Sequence, residues 1–182
     1  MKKLNFQEII ETPSNCQVTL DDGVLTVKGE KGDVRKNLFD PAISLKLENN
    51  NINISTKNLN KRKKKLMNTY KAHIKNLFKG VSVGHTYKLK ICSGHFPMTV
   101  SVKDDLFEIK NFLGEKVPRK LKILEGTEVR VDGTEVVVES VSKEKAGQMA
   151  ASIEQLTRRP GFDKRIFQDG IYIIEKDGKV VK

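Results

Sequence analysis

The sequence predicts an α+β protein built from two duplicated small domains, each an antiparallel β-sheet packed against one α-helix. Three observations carry this. Alternation of apolar and polar residues, the mark of half-buried strands, recurs in both halves of the 182-residue chain. Each half also holds a stretch whose apolar residues fall at helical spacing. The elements come in the same order at a nearly constant offset, as a duplicated unit requires.

In the first half, "QVTLDDGVLTVKG" alternates on both sides of Asp22-Gly23 and predicts a hairpin. "AISLKLENNNINIST" repeats the pattern, with Ile43, Leu45 and Leu47, an Asn-rich turn, then Ile52 and Ile54. Leu66, Met67, Tyr70, Ile74, Leu77 and Phe78 share one face of a predicted helix, with Gly80 expected as its C-cap. In the second half, "MTVSVKDDLFEIKN" reads as a hairpin around Asp104-Asp105, and "EVRVDGTEVVVESV" as two strands joined at Asp132-Gly133. A helix follows, with Ser142 as N-cap and Ala146, Met149, Ala150, Ile153 and Leu156 on one face. Ile171, Ile173 and the Asp177-Gly178 turn predict a closing strand.

Laid over each other, Leu45, Leu47, Ile52 and Ile54 meet Val129, Val131, Val136 and Val138 at an offset of 84. "GEKGDVRK" (Gly29 to Lys36) is echoed in "GEKVPRK" (Gly114 to Lys120). The expected domains are 1–80 and 81–182, joined near Gly80 to Gly84.

Composition narrows the function. The net charge of +11 at neutral pH suggests a polyanionic partner. Between Asn49 and Lys103 there is no Asp or Glu, while twelve Lys and Arg side chains occur. A solvated surface ordinarily mixes both signs, so this acid-free stretch suits a surface that faces phosphates. It includes Lys61, Arg62, Lys63, Lys64 and Lys65, then Lys71, Lys75 and Lys79 along one helix face, and Lys88 and Lys90 beyond. A second basic group, Arg158, Arg159, Lys164 and Arg165, follows the second helix. Acids crowd into Glu125 to Glu144, where solubility and pairing with Arg130 and Lys143 account for them.

Other classes find little support. No apolar run approaches the ~18 residues of a membrane span, and "MKKLNFQEII" does not read as a signal peptide. Cys92 and His95 have C-x-x-H spacing, but no second pair completes a zinc site, and nothing specifies a third group for a nucleophile. There is no P-loop and no G-x-G-x-x-G fingerprint. The aromatics are few and scattered, with no Trp, which favours recognition of folded RNA or DNA by shape and backbone over stacking on single-stranded bases. Two readings stay open on residues alone: a free-standing double-stranded nucleic-acid-binding protein, and an enzyme using Cys92 and His95.

"KGVSVGHTYKLKICSGHFPMTV" (Lys79 to Val100), "FEIKNFLGEK" (Phe107 to Lys116) and "DKRIFQDGIYI" (Asp163 to Ile173) together resemble ribosomal protein six of the large subunit, in its archaeal and cytosolic eukaryotic branch. The resemblance runs along essentially the whole chain. It implies two duplicated α+β domains, no catalysis, no cofactor or metal, and a cytoplasmic place in the ribosome. It implies binding to large-subunit rRNA near the sarcin–ricin loop, with neighbouring ribosomal proteins as partners, translational GTPase factors nearby and no membrane. It places much of the rRNA contact in the second domain, around His95, Phe96 and Pro97 and the loop carrying Lys164 and Arg165. Arg158, Arg159, Lys88 and Lys90 join that expected site, with the basic helix as a further RNA contact. One tension is left: residues 1–80 carry 16 basic and 8 acidic side chains, and residues 81–182 carry 18 and 15. Charge is thus densest in the domain with the smaller implied role.

Overall fold

The computed structural model describes residues 6–48, 51–163 and 165–181. Lys164, one of the expected contact residues, lies outside the described residues. The chain forms two compact units, 1–84 and 85–182.

The first unit contains β1 (Phe6–Glu11), β2 (Gln17–Asp21), β3 (Val24–Gly29), β4 (Gly32–Asn37), β5 (Ser44–Glu48), β6 (Asn51–Thr56) and α1 (Lys61–Ser82). The second contains β7 (His85–Cys92), β8 (Thr99–Lys103), β9 (Leu106–Lys110), a 3-10 turn (Phe112–Gly114), β10 (Arg119–Lys122), β11 (Thr127–Asp132), β12 (Glu135–Ser140), α2 (Lys143–Leu156), β13 (Gly170–Lys176) and β14 (Lys179–Val180). All strand pairs are antiparallel.

The α+β class and the duplication hold down to strand register. The first unit has sheets ordered β1-β6-β5 and β2-β3-β4. The second has β8-β9-β10 and a sheet in which β11-β12-β7 repeats the first order, extended by β13 and β14. Leu45 faces Ile54 and Leu47 faces Ile52, just as Val129 faces Val138 and Val131 faces Val136. Within each unit the strands divide between two sheets, an arrangement that alternation alone cannot distinguish from one continuous sheet.

The cores follow from the alternation. Ile52, Ile54, Leu25, Val27, Met67 and Ile74 are buried in the first unit. In the second, Leu89, Phe107, Ile109, Phe112, Val136, Val138 and Ile171 pack with Ala146, Met149, Ala150 and Ile153 of α2. Each large apolar side chain buried this way contributes roughly 1.5–3 kcal/mol.

The expected C-cap at Gly80 is corrected. Helix α1 continues through a buried Gly80 to Ser82. It ends where Val83 N and Gly84 N both donate to Lys79 O, at 2.8 and 3.1 Å, with Gly84 at φ 88°. Val81 is the reason: it is fully buried, so packing draws the helix past a residue that local propensity would have used as a stop.

The two copies of the echoed turn occupy the equivalent β3–β4 and β9–β10 connections but do different work. A Cβ on Gly29 would lie 2.8 Å from Val81 O and 2.9 Å from Val81 Cβ, and Lys31 N donates to Val81 O at 3.0 Å. The first copy is therefore the place where a hairpin closes on a helix end. In the second copy Gly114 has φ 78° and ends the 3-10 turn, and Glu115 anchors a network described below.

Candidate nucleic-acid interface

Helix α1 begins at Asn60, whose side chain accepts from Lys63 N at 2.8 Å. Its first turn holds no acid and is densely basic. The N-terminal end of a helix is the positive end of its dipole, so each cation there costs about 0.3–1 kcal/mol unless an anion offsets it. The protein offsets little of this. Lys63 Nζ donates to Lys57 O at 2.6 Å, and Lys71 pairs with Glu8 at 3.1 Å. Lys61, Arg62, Lys64, Lys65 and Lys75 are exposed, with no ion pair among the described residues. The opposite stripe of the helix, Met67, Tyr70, Ile74, Leu77 and Phe78, is buried, so these cations have no core to serve.

In the second unit two carboxylates hold the His95 loop and Arg159. The Asp169 side chain is buried. Its Oδ1 accepts from Gly94 N at 2.7 Å and His95 N at 3.0 Å, and its Oδ2 lies 2.6 Å from His95 Nδ1. Burial alone would raise the Asp169 pKa, but hydrogen bonds from the His95 backbone, its ring and Gly94 N outweigh burial and hold it below the usual carboxylate range. The loop carrying His95, Phe96 and Pro97 is thereby tied to the segment before β13. Asn111 Nδ2 donates to Pro97 O at 3.0 Å and supports the same loop from the 3-10 turn.

Glu115 is the second anchor. It accepts from Arg119 Nε at 2.7 Å and Nη2 at 2.6 Å, and from Arg159 Nη1 at 2.8 Å. The hydrogen bonds from Arg119 lower its pKa first, and the charges of both arginines add to that. The Arg119 guanidinium stacks over the Phe112 ring at 4.3 Å, and Phe112 is itself buried. The motif Asn111 to Lys116 thus acts on the fold: it holds the loops that carry the candidate contacts.

Between the anchors runs a line of rings. His95 meets Phe167 at 4.9 Å, Phe167 meets Phe162 edge-on at 4.9 Å, and Arg159 lies over Phe162 at 4.6 Å. The scattering of aromatics expected from the sequence is corrected here, because the fold brings residues distant in the chain into one cluster. Phe96 is also exposed beside this loop.

The remaining expected residues divide. Arg158 is exposed, with no ion pair among the described residues. Arg165 is held by Asp163, through Nε to Oδ1 at 3.1 Å and Nη2 to Oδ2 at 2.8 Å, so its charge is already matched locally. Lys88 and Lys90 stand opposite the buried face of Tyr87 and Leu89, and Lys88 pairs with Glu175 at 3.2 Å. Lys90 faces Glu135 across the strand pair. Glu128, Asp132, Glu135 and Glu139 alternate on that same solvent face with Arg130, which reaches Glu139 at 2.9 Å. Four acids of that block therefore share one sheet face, and Lys88 and Lys90 lie within its mixed field.

Sequence reasoning missed Asp169, Glu115, Arg119, Phe162 and Phe167. The signal available was thin: an acid inside "FQDGIYI", and two Phe in a polar tail. Among the described residues no hydrogen bond joins Cys92 to His95, and His95 Nδ1 meets Asp169 Oδ2 at 2.6 Å. Among the described residues no group of three His, Cys, Asp or Glu could hold a metal ion, and no helix is long and apolar enough to cross a membrane.

A duplicated α+β scaffold with exposed cations on one helix and braced, aromatic-bearing loops defines a basic binding protein. The sequence profile of the family described as Ribosomal protein L6 matches residues 12–84 and 96–170, once on each repeat. The chain belongs to the ribosomal protein L6 family. It is 45% identical over 176 residues to the large ribosomal subunit protein uL6 of Methanococcus vannielii, covering 97% of each chain. It is 44% identical over 167 residues to the protein of the same name from Methanosarcina mazei, covering 92% of this chain and 95% of the relative.

Proposed function

We propose that this protein is a non-catalytic structural component of the large ribosomal subunit, working in the cytoplasm, and that it clamps folded large-subunit rRNA. The observation that carries the reading is the helix α1 face: five exposed cations without ion pairs among the described residues, in a chain of the ribosomal protein L6 family. Such a face stabilises little in the free protein and gains its partner in a phosphate backbone. The second repeat makes the main rRNA contact through the loop of His95, Phe96 and Pro97 and through Arg158, Arg159, Lys164 and Arg165. Lys88 and Lys90 contribute less, because acids surround them. The contact lies near the sarcin–ricin loop, next to where translational GTPase factors dock, and neighbouring ribosomal proteins complete the surroundings. The basic helix of the first repeat, from Lys61 to Lys75, meets a further RNA segment. The second repeat gathers Glu128, Asp132, Glu135 and Glu139 on one sheet face, so part of its acidic charge stands apart from the contact loops.

The test is cosedimentation with large subunits after a high-salt wash. An integral component stays bound, whereas a free-standing nucleic-acid-binding protein washes off and refutes the reading. Reversing the charges of Lys164 and Arg165 lowers rRNA association more than reversing Lys2 and Lys3. Equal losses would exclude the tail loop as a contact.

A further inference from the structure

We propose that the groove beside Phe162 in the second unit receives one unstacked RNA base, with the attached phosphate at Arg158. The inference rests on the rRNA-binding reading and adds to it a mode of contact, stacking, that the sequence argued against.

The groove has a volume of about 400 Å³ and is lined in part by Phe162, Phe167, Tyr172, Arg158, Arg159 and Asp169. That volume lies within the range of small-ligand sites, ~300–1,000 Å³. Its aromatic wall is ordered in advance. The Arg159 guanidinium lies over the Phe162 ring, Phe162 meets Phe167 with ring planes at 79°, and Phe167 is backed by His95, which Asp169 holds. Yet Phe162 and Tyr172 each stay 39% exposed. A rigid ring left partly open to water offers apolar surface at little further entropic cost to a flat partner.

The charges select the partner. A phosphate deep in the groove would meet Glu154 and Asp169 on its walls. Arg159, the cation nearest the rings, is already matched by Glu115 at 2.8 Å. Arg158 is exposed and without an ion pair among the described residues. A neutral planar group therefore fits inside, and an anion fits at Arg158. A nucleotide turned base inward has that distribution, and base–aromatic stacking tolerates any base.

The experiment titrates the full chain with large-subunit rRNA across a salt series. Stacking involves no counterion release. Phe162→Leu is therefore expected to weaken binding about 5- to 100-fold with an unchanged slope against salt, and Phe162→Trp to restore it. Arg158→Gln is expected to lower the slope by about 0.9. Phe162 lies in an exposed loop, so unchanged thermal melting of the variants separates a lost contact from a lost fold. Wild-type affinity in Phe162→Leu overturns the base site while leaving the rRNA reading intact. So does a loss of subunit incorporation without a change in rRNA affinity, which would assign the groove to a neighbouring protein's side chain. Failure of the wild type to bind rRNA saturably takes down both readings.

Discussion

Replacing Gly29 by Ala tests whether the first copy of the echoed turn serves as a contact between hairpin and helix. Backbone conformation does not resist the change, because Gly29 is not among the glycines at positive φ. Taken alone, Ala in place of Gly within a strand would stabilise by roughly 0.5–1 kcal/mol. Space does resist it. The added methyl would sit 2.8 Å from Val81 O and 2.9 Å from both Val81 Cβ and Cγ2. Val81 is fully buried, and the carbonyl is backbone, so neither can swing away. The end of α1 must move, at an overpacking cost of about 1–3 kcal/mol. The Lys31 N to Val81 O bond of 3.0 Å stretches as it moves, at a cost of about 1 kcal/mol. The net expectation is about 2 kcal/mol of destabilisation, or roughly 8–16 °C in the melting of a unit this size. Gly94→Ala is the control, since nothing lies within 4 Å of its added methyl, and it should change stability by less than about 0.5 kcal/mol. Thermal and urea unfolding of both variants decide the matter. A Gly29→Ala protein within about 0.5 kcal/mol of wild type would refute the close approach.

Asp169→Ala leaves the amides of Gly94 and His95 without their charged acceptor, and about 3 kcal/mol of destabilisation is expected, at roughly 1.5 kcal/mol per bond, by urea unfolding. The Asp169 pKa is depressed in the fold, so its contribution is present above the unfolded value of about 4 and is lost as pH falls through the folded value. The stability gap between wild type and Asp169→Asn should therefore narrow as pH drops below about 4, and a gap independent of pH would remove the anchor. Glu115→Gln weakens the bonds to Arg119 and Arg159 together and should speed amide exchange in the loop from Arg158 to Asp169, with no such change in the first unit. Replacing Lys61, Arg62, Lys64 and Lys65 by Gln should flatten the salt dependence of rRNA binding by about 0.9 per phosphate lost, with melting unchanged or slightly raised because the helix dipole is relieved. An unchanged salt slope would place that helix face away from RNA.

The limits of local reading show at particular residues. Hairpin turns such as Asp22-Gly23 were legible because their chemistry is local: both residues take positive φ, at 45° and 80°. Gly80 misled because local preference for a helix stop was overridden by burial of Val81. Lys71 and Arg165 looked like free cations in the chain, but Glu8, 63 positions away, neutralises the first, and Asp163 neutralises the second.

From sequence alone came the α+β class, the duplication, the hairpins β2–β3, β5–β6, β8–β9 and β11–β12, and the basic character of α1, because periodicity, turn chemistry and net charge are properties of short stretches and survive without knowledge of the fold. Tertiary structure decided which charges remain unmatched, and that His95, Phe167, Phe162 and Arg159 form one line. It also decided that Asp169 and Glu115 hold that line in place. The ties of Gly94 and His95 to Asp169 and of Arg159 to Glu115 cross gaps of 44 to 75 positions, and chain closure over such distances is set by the packing of the whole unit rather than by the residues that meet.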